Sequence, residues 1–224
     1  MNQTALILAN GQPPSKTTLK RLLANASFFV CADGGANTAA RYGLKPAAIV
    51  GDMDSIQPLT LRKFRDVELL KTIDDYSTDL EKTLAWVTDR GYSAITVAGA
   101  TGGRPDHFIG NLSAMVKYSP RATVTFVDDT SEWMYVDCPR LFKLPVGATV
   151  SLIPLSRCDG IVTRGLRWNL NFESLELGVR EATSNVVEES PVHISVSKGN
   201  LILFHLFNHA VVRKPRPVKK RRRR

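Results

Sequence analysis

The sequence predicts an α/β domain, built on a mostly parallel sheet with flanking helices, followed by a smaller all-β sandwich domain. Two observations lead to this fold class. Up to about residue 130, short apolar runs alternate with longer amphipathic or turn-bounded stretches, which is typical of alternating strands and helices. Beyond residue 139 the runs are short and β-type, and Gly, Asn, Ser and Pro separate them.

Six apolar runs rich in Val, Ile and Phe are the predicted strands of the first domain. They lie at 5–9, 28–32, 47–50, 67–70, 94–98 and 124–127. One helix is expected from Thr78, where Glu81 completes a capping box, to Gly91. Another is expected from Pro105, which suits the first helical turn, to about Lys117. This alternation predicts a Rossmann-like arrangement with helices on both faces of the sheet.

The second half contains six further β-type runs. They lie at 149–155, 160–163, 175–177, 184–187, 192–197 and 201–206. Residues 198–200 (Lys-Gly-Asn) separate the last two runs and are interpreted as a hairpin turn. We therefore expect three parts: an α/β nucleotide-binding catalytic domain at 1–138, a β-sandwich domain at 139–212, and a basic tail at 213–224.

The charge of the chain is concentrated at its end. The formal net charge is +9, and residues 213–224 hold nine of the 30 basic residues and no acidic one. The remaining sequence is formally neutral, so the basicity belongs to the tail. We expect this tail to be disordered, because like charges oppose compaction. Nucleic acid binding is expected only through the tail, and a solvated tail without function is the alternative.

The predicted location is cytoplasmic. The three cysteines are too few and too scattered for a disulfide framework or a zinc site. The early apolar run at 5–9 has no basic segment before it, unlike a signal peptide. No apolar stretch approaches the roughly 20 residues that span a bilayer, so no membrane association is expected.

Two carboxylates follow one predicted strand at a spacing that suggests a bound cation. Asp52 and Asp54 come directly after the apolar run at 47–50. If the chain stays extended there, both side chains project to the same side. Carboxylates placed in this way repel each other unless a cation lies between them, and Mg²⁺ usually arrives with phosphate. The pair predicts a site for a nucleotide polyphosphate, and a solvated turn is the alternative.

Polar residues follow two other predicted strands, where the ligands of open α/β sheets bind. Residues 33–37 combine an acid with a glycine turn, which can bring backbone N–H groups against a phosphate. A plain tight turn would also explain them. Asp79 follows the run at 67–70, but the first turn of a helix favours a carboxylate without any metal.

The densest polar cluster lies at 99–107, directly after a predicted strand. Arg104 suits bidentate contacts with phosphate, and Asp106 and His107 are able to orient or deprotonate a hydroxyl. The alternative is a glycine-rich loop with local hydrogen bonds only. In the second half, Trp168 is a candidate for stacking on a flat cationic ring, although a core or interface position is the alternative.

Taken together, these clusters resemble the motifs of the thiamine pyrophosphokinase family. Six stretches carry the resemblance, in matching order and spacing from about residue 5 to 210. They are Ala-Asp-Gly-Gly-Ala-Asn at 32–37, Gly-Asp-Met-Asp-Ser at 51–55, Ser-Thr-Asp-Leu-Glu-Lys at 77–82, Gly-Gly-Arg-Pro-Asp-His at 102–107, Gly-Leu-Arg-Trp-Asn-Leu at 165–170 and Thr-Ser-Asn at 183–185. One such motif would be weak, whereas six across both halves are specific.

The resemblance implies an enzyme that transfers the pyrophosphoryl group of ATP to the hydroxyl of thiamine and releases AMP. It also implies Mg²⁺, a homodimer and a thiamine pocket at the dimer interface. The implied residues are the metal ligands Asp52, Asp54 and Asp79; the catalytic residues Asp54, Asp79, Arg104 and Asp106; the nucleotide-binding residues Asp33, Gly34, Gly35, Lys82, Thr101, Gly102 and Gly103; and the thiamine-binding residues Asp106, His107, Trp168, Ser184 and Asn185. Asp106 is the preferred general base, but metal coordination of the hydroxyl would make a base unnecessary.

Two features depart from the family pattern, and three other functions compete with it. Asp75 stands where relatives often carry an amide, and the tail at 213–224 is outside the pattern. A haloacid-dehalogenase-type phosphatase expects Thr or Val after the second acid, where this chain has Ser55. A glycosyltransferase would use the Asp-x-Asp motif with Mn²⁺ and a nucleotide sugar. A nucleic-acid-binding protein would depend on the tail.

Overall fold

The computed structural model describes residues 3–72 and 76–207. Within those ranges the chain forms fourteen strands and five α-helices. The additional charge at Asp75 and the basic tail at 213–224 lie outside the described residues. None of the helices in the two described ranges has the length and the apolar character of a membrane span.

The first half forms a parallel sheet from the six predicted strands. The strands are β1 Thr4–Leu8, β2 Phe28–Ala32, β3 Ala48–Gly51, β4 Glu68–Lys71, β5 Ala94–Ala98 and β6 Thr123–Val127. They pair in the order β6-β5-β1-β2-β3-β4, and every pair is parallel. The helices between them are α1 Lys16–Ala24, α2 Gly35–Tyr42, α3 Pro58–Lys63, α4 Asp79–Asp89 and α5 Pro105–Tyr118.

Helix α4 begins where its capping signal predicts. The Thr78 hydroxyl oxygen accepts a hydrogen bond from the backbone N–H of Glu81 at 3.2 Å, which satisfies one donor of the first turn. Leu84 and Val87 then pack in one core with strand residues and with α5. Helices α1, α2 and α3 contribute to a separate core on the other face of the sheet. Because all six strands run parallel, their carboxyl ends meet at one edge of the sheet.

The second half is all-β, and the predicted fold class is confirmed. Its strands are β7 Ser131–Val136, β8 Arg140–Phe142, β9 Thr149–Pro154, β10 Cys158–Arg164, β11 Asn171–Leu175, β12 Ala182–Val186, β13 Val192–Ser195 and β14 Leu201–Leu206. Strands β7, β14, β9 and β12 extend the parallel sheet to ten strands, and β11-β10-β13-β8 form a second sheet. A third core, which includes Leu152, Ile161 and Leu203, lies between the sheets. The ten-stranded sheet contains strands from both sides of residue 138. The domain boundary predicted at that residue stays a prediction.

The predicted hairpin at 198–200 is wrong. Strand β13 pairs with β8 and β10, whereas β14 pairs with β7 and β9 in the other sheet. Gly199 has a φ of 108°, and a Cβ there would lie 2.3 Å from the carbonyl oxygen of Arg157. This close packing against residues 157–158 directs the chain from one sheet to the other. The strand expected at 175–177 lies earlier, as β11. Strands β7 and β8 were not predicted.

Candidate active site

A cavity of about 590 Å³ opens at the carboxyl ends of the parallel strands. Seven predicted site residues line it, and all of them come from the first half of the chain: Asp52, Asp79, Lys82, Gly102, Gly103, Arg104 and His107. The topology explains this convergence, because the loops after β3, β4 and β5 all leave the sheet at the same edge. The predicted residues of three separate motifs are therefore brought together.

Three carboxylates form a compact cluster beside this cavity. One oxygen each from Asp33, Asp52 and Asp54 lies within 4.8 Å of the others. Met53, with a φ of 72°, turns the chain so that the backbone N–H of Asp54 donates to Oδ1 of Asp52 at 3.0 Å. That hydrogen bond is the main cause of a pKa below the ordinary value for Asp52. The loop therefore holds Asp52 in its charged form, as a metal ligand requires.

Asp33 is the buried member of the cluster. Only 1% of its surface is exposed, and neither carboxylate oxygen has a hydrogen-bond partner among the described residues. Burial raises the pKa of Asp33, and the nearby Ser55 hydroxyl and Gly34 N–H oppose the rise without reaching hydrogen-bond geometry. A buried carboxylate without a partner is costly, so the surroundings of Asp33 suit a cation or a hydrogen-bond donor.

Asp79 approaches the cluster from the start of α4. A Cβ added to Gly51 would lie 2.7 Å from Cβ of Asp33 and 3.2 Å from Oδ1 of Asp79, so glycine is needed between them. Burial raises the pKa of Asp79, and the ammonium of Lys82, 3.5 Å from Oδ1, opposes that rise. Asp79 thus lies near the cluster but is paired with Lys82. The three clustered acids are Asp33, Asp52 and Asp54, whereas the metal ligands expected from the resemblance are Asp52, Asp54 and Asp79. That set stays a prediction.

Asn37 holds the loop that carries Asp52 and Asp54. Its side-chain N–H donates to the carbonyl of Ser55 at 2.8 Å, and its Oδ1 accepts from the backbone N–H of Gln57 at 2.9 Å. Asn37 belongs to the glycine-turn motif but was not predicted as a site residue, because a sequence does not show which loop an amide braces. It positions the carboxylates and does not line the cavity.

Replacing Asn37 with alanine is expected to destabilise the protein by about 1–2 kcal/mol, which corresponds to a Tm lower by roughly 4 °C. The reason is that two backbone groups of the acidic loop lose their partners. Thermal unfolding of Asn37→Ala beside Thr38→Ala checks this, because Thr38 only accepts a hydrogen bond of 3.3 Å from Arg41. Equal Tm values for the two variants would show that Asn37 does not brace the loop.

The glycine-rich loop after β5 lies against the loop after β1. A Cβ at Gly102 would be 2.5 Å from Cβ of Gln12, and the φ of Gly102 is 72°. The backbone N–H of Gly11 donates to the carbonyl of Gly99 at 2.8 Å, and that of Gln12 donates to Thr101 at 2.5 Å. These contacts place Gly102 at the cavity, whereas Thr101 does not line it.

Arg104 and Asp106 form an exposed bidentate ion pair. Nε and Nη2 of Arg104 donate to the two oxygens of Asp106 at 3.1 and 2.5 Å. Hydrogen bonding to Arg104 lowers the pKa of Asp106 to about 2. A carboxylate of such low basicity is a weak general base at neutral pH. The geometry therefore favours a role for Arg104 and Asp106 as a pair that neutralises charge and positions the substrate. The assignment of Asp106 as general base stays a prediction.

Gly34 and Gly35 are glycines for reasons of packing. A Cβ at Gly34 would lie 2.4 Å from the Asn10 side chain, and one at Gly35 would lie 2.1 Å from the carbonyl oxygen of Leu8. Neither lines the cavity, whereas Asn10, Gly11 and Asn111 do and were not predicted. Asn10 and Gly11 follow a predicted strand, so the rule used for the other strand ends would have found them.

The predicted thiamine-binding residues of the second half lie outside this cavity, whose lining comes entirely from residues 9–111. Trp168 is 59% exposed. Asn185 is buried, accepts from the backbone N–H of Trp168 at 3.2 Å and donates to its carbonyl at 2.7 Å, so it braces the tryptophan loop. Ser184 has a φ of 58°, and its N–H donates to Oγ of Ser151. Within one chain the structure does not bring these residues to the carboxylates.

A larger groove, of about 720 Å³, lies elsewhere beside α1. Its lining includes Arg21, Asp129 and Glu132 but none of the predicted site residues. We place the chemistry at the smaller cavity, because only there do the carboxylate cluster and the cationic side chains meet.

Comparisons with known proteins agree with the motifs. The family model described as thiamin pyrophosphokinase, catalytic domain, matches residues 19–126, and the model described as thiamin pyrophosphokinase, vitamin B1 binding domain, matches residues 137–201. Thiamine pyrophosphokinase 1 of Oryza sativa subsp. japonica is 32% identical, over 88% of this chain and 85% of that protein. Thiamine pyrophosphokinase of Bacillus subtilis (strain 168) is 26% identical, over 79% of this chain and 86% of that protein.

Solved structures share the fold. The thiamin pyrophosphokinase from Candida albicans superposes with a TM-score of 0.81 at 19% identity, and covers 92% of this chain and 90% of its own. The thiamine pyrophosphokinase from Bacillus subtilis superposes with a TM-score of 0.80 at 23% identity, over 92% of this chain and 99% of its own. At these identities the likeness concerns the fold alone.

Proposed function

The chain belongs to the thiamine pyrophosphokinase family, and from that premise we propose that it transfers the pyrophosphoryl group of ATP to the hydroxyl of thiamine. It is a thiamine diphosphokinase, and its products would be thiamine diphosphate and AMP. The phosphatase, glycosyltransferase and nucleic-acid-binding alternatives have no support in the family assignment.

The observation that carries the proposal is the carboxylate cluster at the cavity. Three carboxylate oxygens within 4.8 Å of one another repel strongly, and one of the three acids is buried without a partner. This arrangement fits a hard divalent cation, which takes oxygen ligands. We propose that Mg²⁺ is held by Asp52 and Asp54 with Asp79 nearby, and that the ion neutralises phosphate charge when it is bound.

The remaining side chains at the cavity suit a polyphosphate. Lys82 and Arg104 supply positive charge, and the glycine loop at 102–103 lets phosphate approach the backbone. Transfer of a phosphoryl-type group depends on in-line positioning and charge neutralisation more than on covalent help from the protein. The proposed roles of Gly34 and Gly35 in nucleotide binding are indirect, since both shape the start of α2. His107 lines the cavity and is proposed to contact thiamine.

A homodimer would complete the thiamine site. Trp168 is exposed and lies outside the cavity of its own chain, so it is available to a second copy. Thiamine carries a cationic aromatic ring, for which an indole face is a suitable partner. We propose that Trp168 of one protomer closes the site of the other.

A cytoplasmic location is proposed on the chemistry of the cysteines. Cys31, Cys138 and Cys158 are all free thiols, which is typical of a reducing compartment.

The test of the function is to incubate the protein with ATP, Mg²⁺ and thiamine and to identify the products. AMP and thiamine diphosphate are expected in equal amounts. Formation of ADP with thiamine monophosphate, or the absence of thiamine-dependent turnover, would overturn the proposed reaction. Omitting Mg²⁺ in the presence of EDTA is expected to stop turnover, and undiminished turnover would refute the metal requirement.

The shared site makes a prediction about hybrid dimers. In a dimer of one Asp54→Asn chain and one Trp168→Ala chain, one site receives both substitutions and the other receives neither. Hybrids co-expressed with two tags are therefore expected to regain activity that both parent homodimers lack. A chain that carries both substitutions, paired with wild type, is the matched control, because each of its sites carries one defect. If hybrids are no more active than the parents, each site is built from one chain.

A further inference from the structure

Asp33 has no explained partner, although its backbone is firmly fixed. Its N–H donates to the carbonyl of Val50 at 2.8 Å, and its own carbonyl accepts from Ala36 at 3.0 Å. Its φ is 40°, in the left-handed region that L-residues adopt infrequently. The turn between β2 and α2 thus holds this carboxylate in a buried position at the site, where both oxygens lack a hydrogen-bond partner among the described residues.

A direct contact with nucleotide phosphate does not explain this side chain. The resemblance places Asp33 with Gly34 and Gly35 among nucleotide-binding residues, but a carboxylate and a phosphate repel each other. Neighbouring acids increase the problem, since Asp52 and Asp79 both act on Asp33 as like charges. A bound cation would offset both the burial of this carboxylate and the repulsion from its acidic neighbours.

We propose that Asp33 is a direct ligand of the divalent cation and forms the buried side of its site. Asp52 and Asp54 supply the opposite side from the loop after β3, with oxygens within 4.8 Å of that of Asp33. Asp79, paired with Lys82, lies next to this set across Gly51. The inference rests on the metal requirement of the proposed function and assigns the ligand that the sequence motifs do not indicate.

Asp33→Asn is the variant that tests the assignment. Asparagine tolerates left-handed backbone and is close to isosteric with aspartate, so the fold is expected to persist. Without divalent cation, removal of the buried charge is expected to raise Tm by about 3 °C. Mn²⁺ is the probe: its Kd, measured by electron paramagnetic resonance or calorimetry, is expected to weaken at least about tenfold. At the same Mn²⁺ concentration, the rise in Tm that Mn²⁺ produces is expected to be smaller than in the wild type.

The outcomes separate the two proposals. Wild-type protein that binds no Mn²⁺, with or without ATP, would overturn both the metal requirement and the role of Asp33. If the wild type binds Mn²⁺ and Asp33→Asn binds it equally well, Asp33 is not a ligand, while the proposed function stands. A loss of ATP affinity in the variant that is as large in EDTA as in Mn²⁺ would assign Asp33 to the nucleotide and would also overturn the inference. Asp66→Asn, at an exposed acid paired with Lys45, is the matched control and should change neither Kd nor Tm.

Discussion

Replacing Asp54 with asparagine is expected to lower kcat by about 10³-fold, because a lost metal ligand removes several kcal/mol of transition-state stabilisation. The same change should leave the metal-free protein at least as stable as the wild type. Asp54 is exposed, and its Oδ1 accepts a hydrogen bond from Oγ of Ser55 at 2.8 Å. The asparagine oxygen keeps that acceptor while one charge leaves a repulsive cluster.

Steady-state kinetics and thermal unfolding of the same preparation check both parts. Asp66→Asn is again the control, since it removes an exposed carboxylate on the same domain but outside the cavity. Its kcat should equal that of the wild type. A Tm that falls together with kcat in Asp54→Asn would instead assign Asp54 to the structure of the loop.

The position of the site could be predicted because it follows from the sheet. Apolar runs mark the strands, and the residues directly after them must lie at one edge when the strands are parallel. Asp52, Asp79 and Arg104 were found in this way, and all of them line the cavity. Asn10 obeys the same rule and was missed only because no acidic or glycine-rich motif surrounds it.

The contacts within the site could not be predicted, because they depend on side-chain geometry. The bidentate pair of Arg104 with Asp106 involves neighbours whose conformation no spacing rule sets. The cluster contains Asp33 in place of Asp79, since Gly51 and the left-handed Met53 decide which acids approach one another. The false hairpin at 198–200 has a similar cause, because turn composition alone does not show that the two flanking strands enter different sheets.

Gly35→Ala is expected to destabilise the protein by about 3 kcal/mol or more, because a Cβ at this position has no space. It would lie 2.1 Å from the carbonyl oxygen of Leu8, and this neighbour is backbone in the central strand β1. Relief requires α2 to move away from the sheet, which would disturb the turn that carries Asp33. We therefore expect lower Tm, weaker metal binding and poor expression to occur together.

Gly110→Ala is the matched control for this substitution. Gly110 lies inside α5, and a Cβ there would meet only Cγ2 of Thr78 at 3.7 Å, an ordinary van der Waals distance. Since alanine favours helix over glycine by up to about 1 kcal/mol, this variant is expected to be more stable than the wild type. Denaturant unfolding of the two variants therefore tests whether the same substitution lowers the free energy of unfolding at Gly35 and raises it at Gly110. If Gly35→Ala unfolds at the wild-type midpoint, α2 does not pack against β1 as closely as the structure shows, and the rigid placement of Asp33 loses its basis.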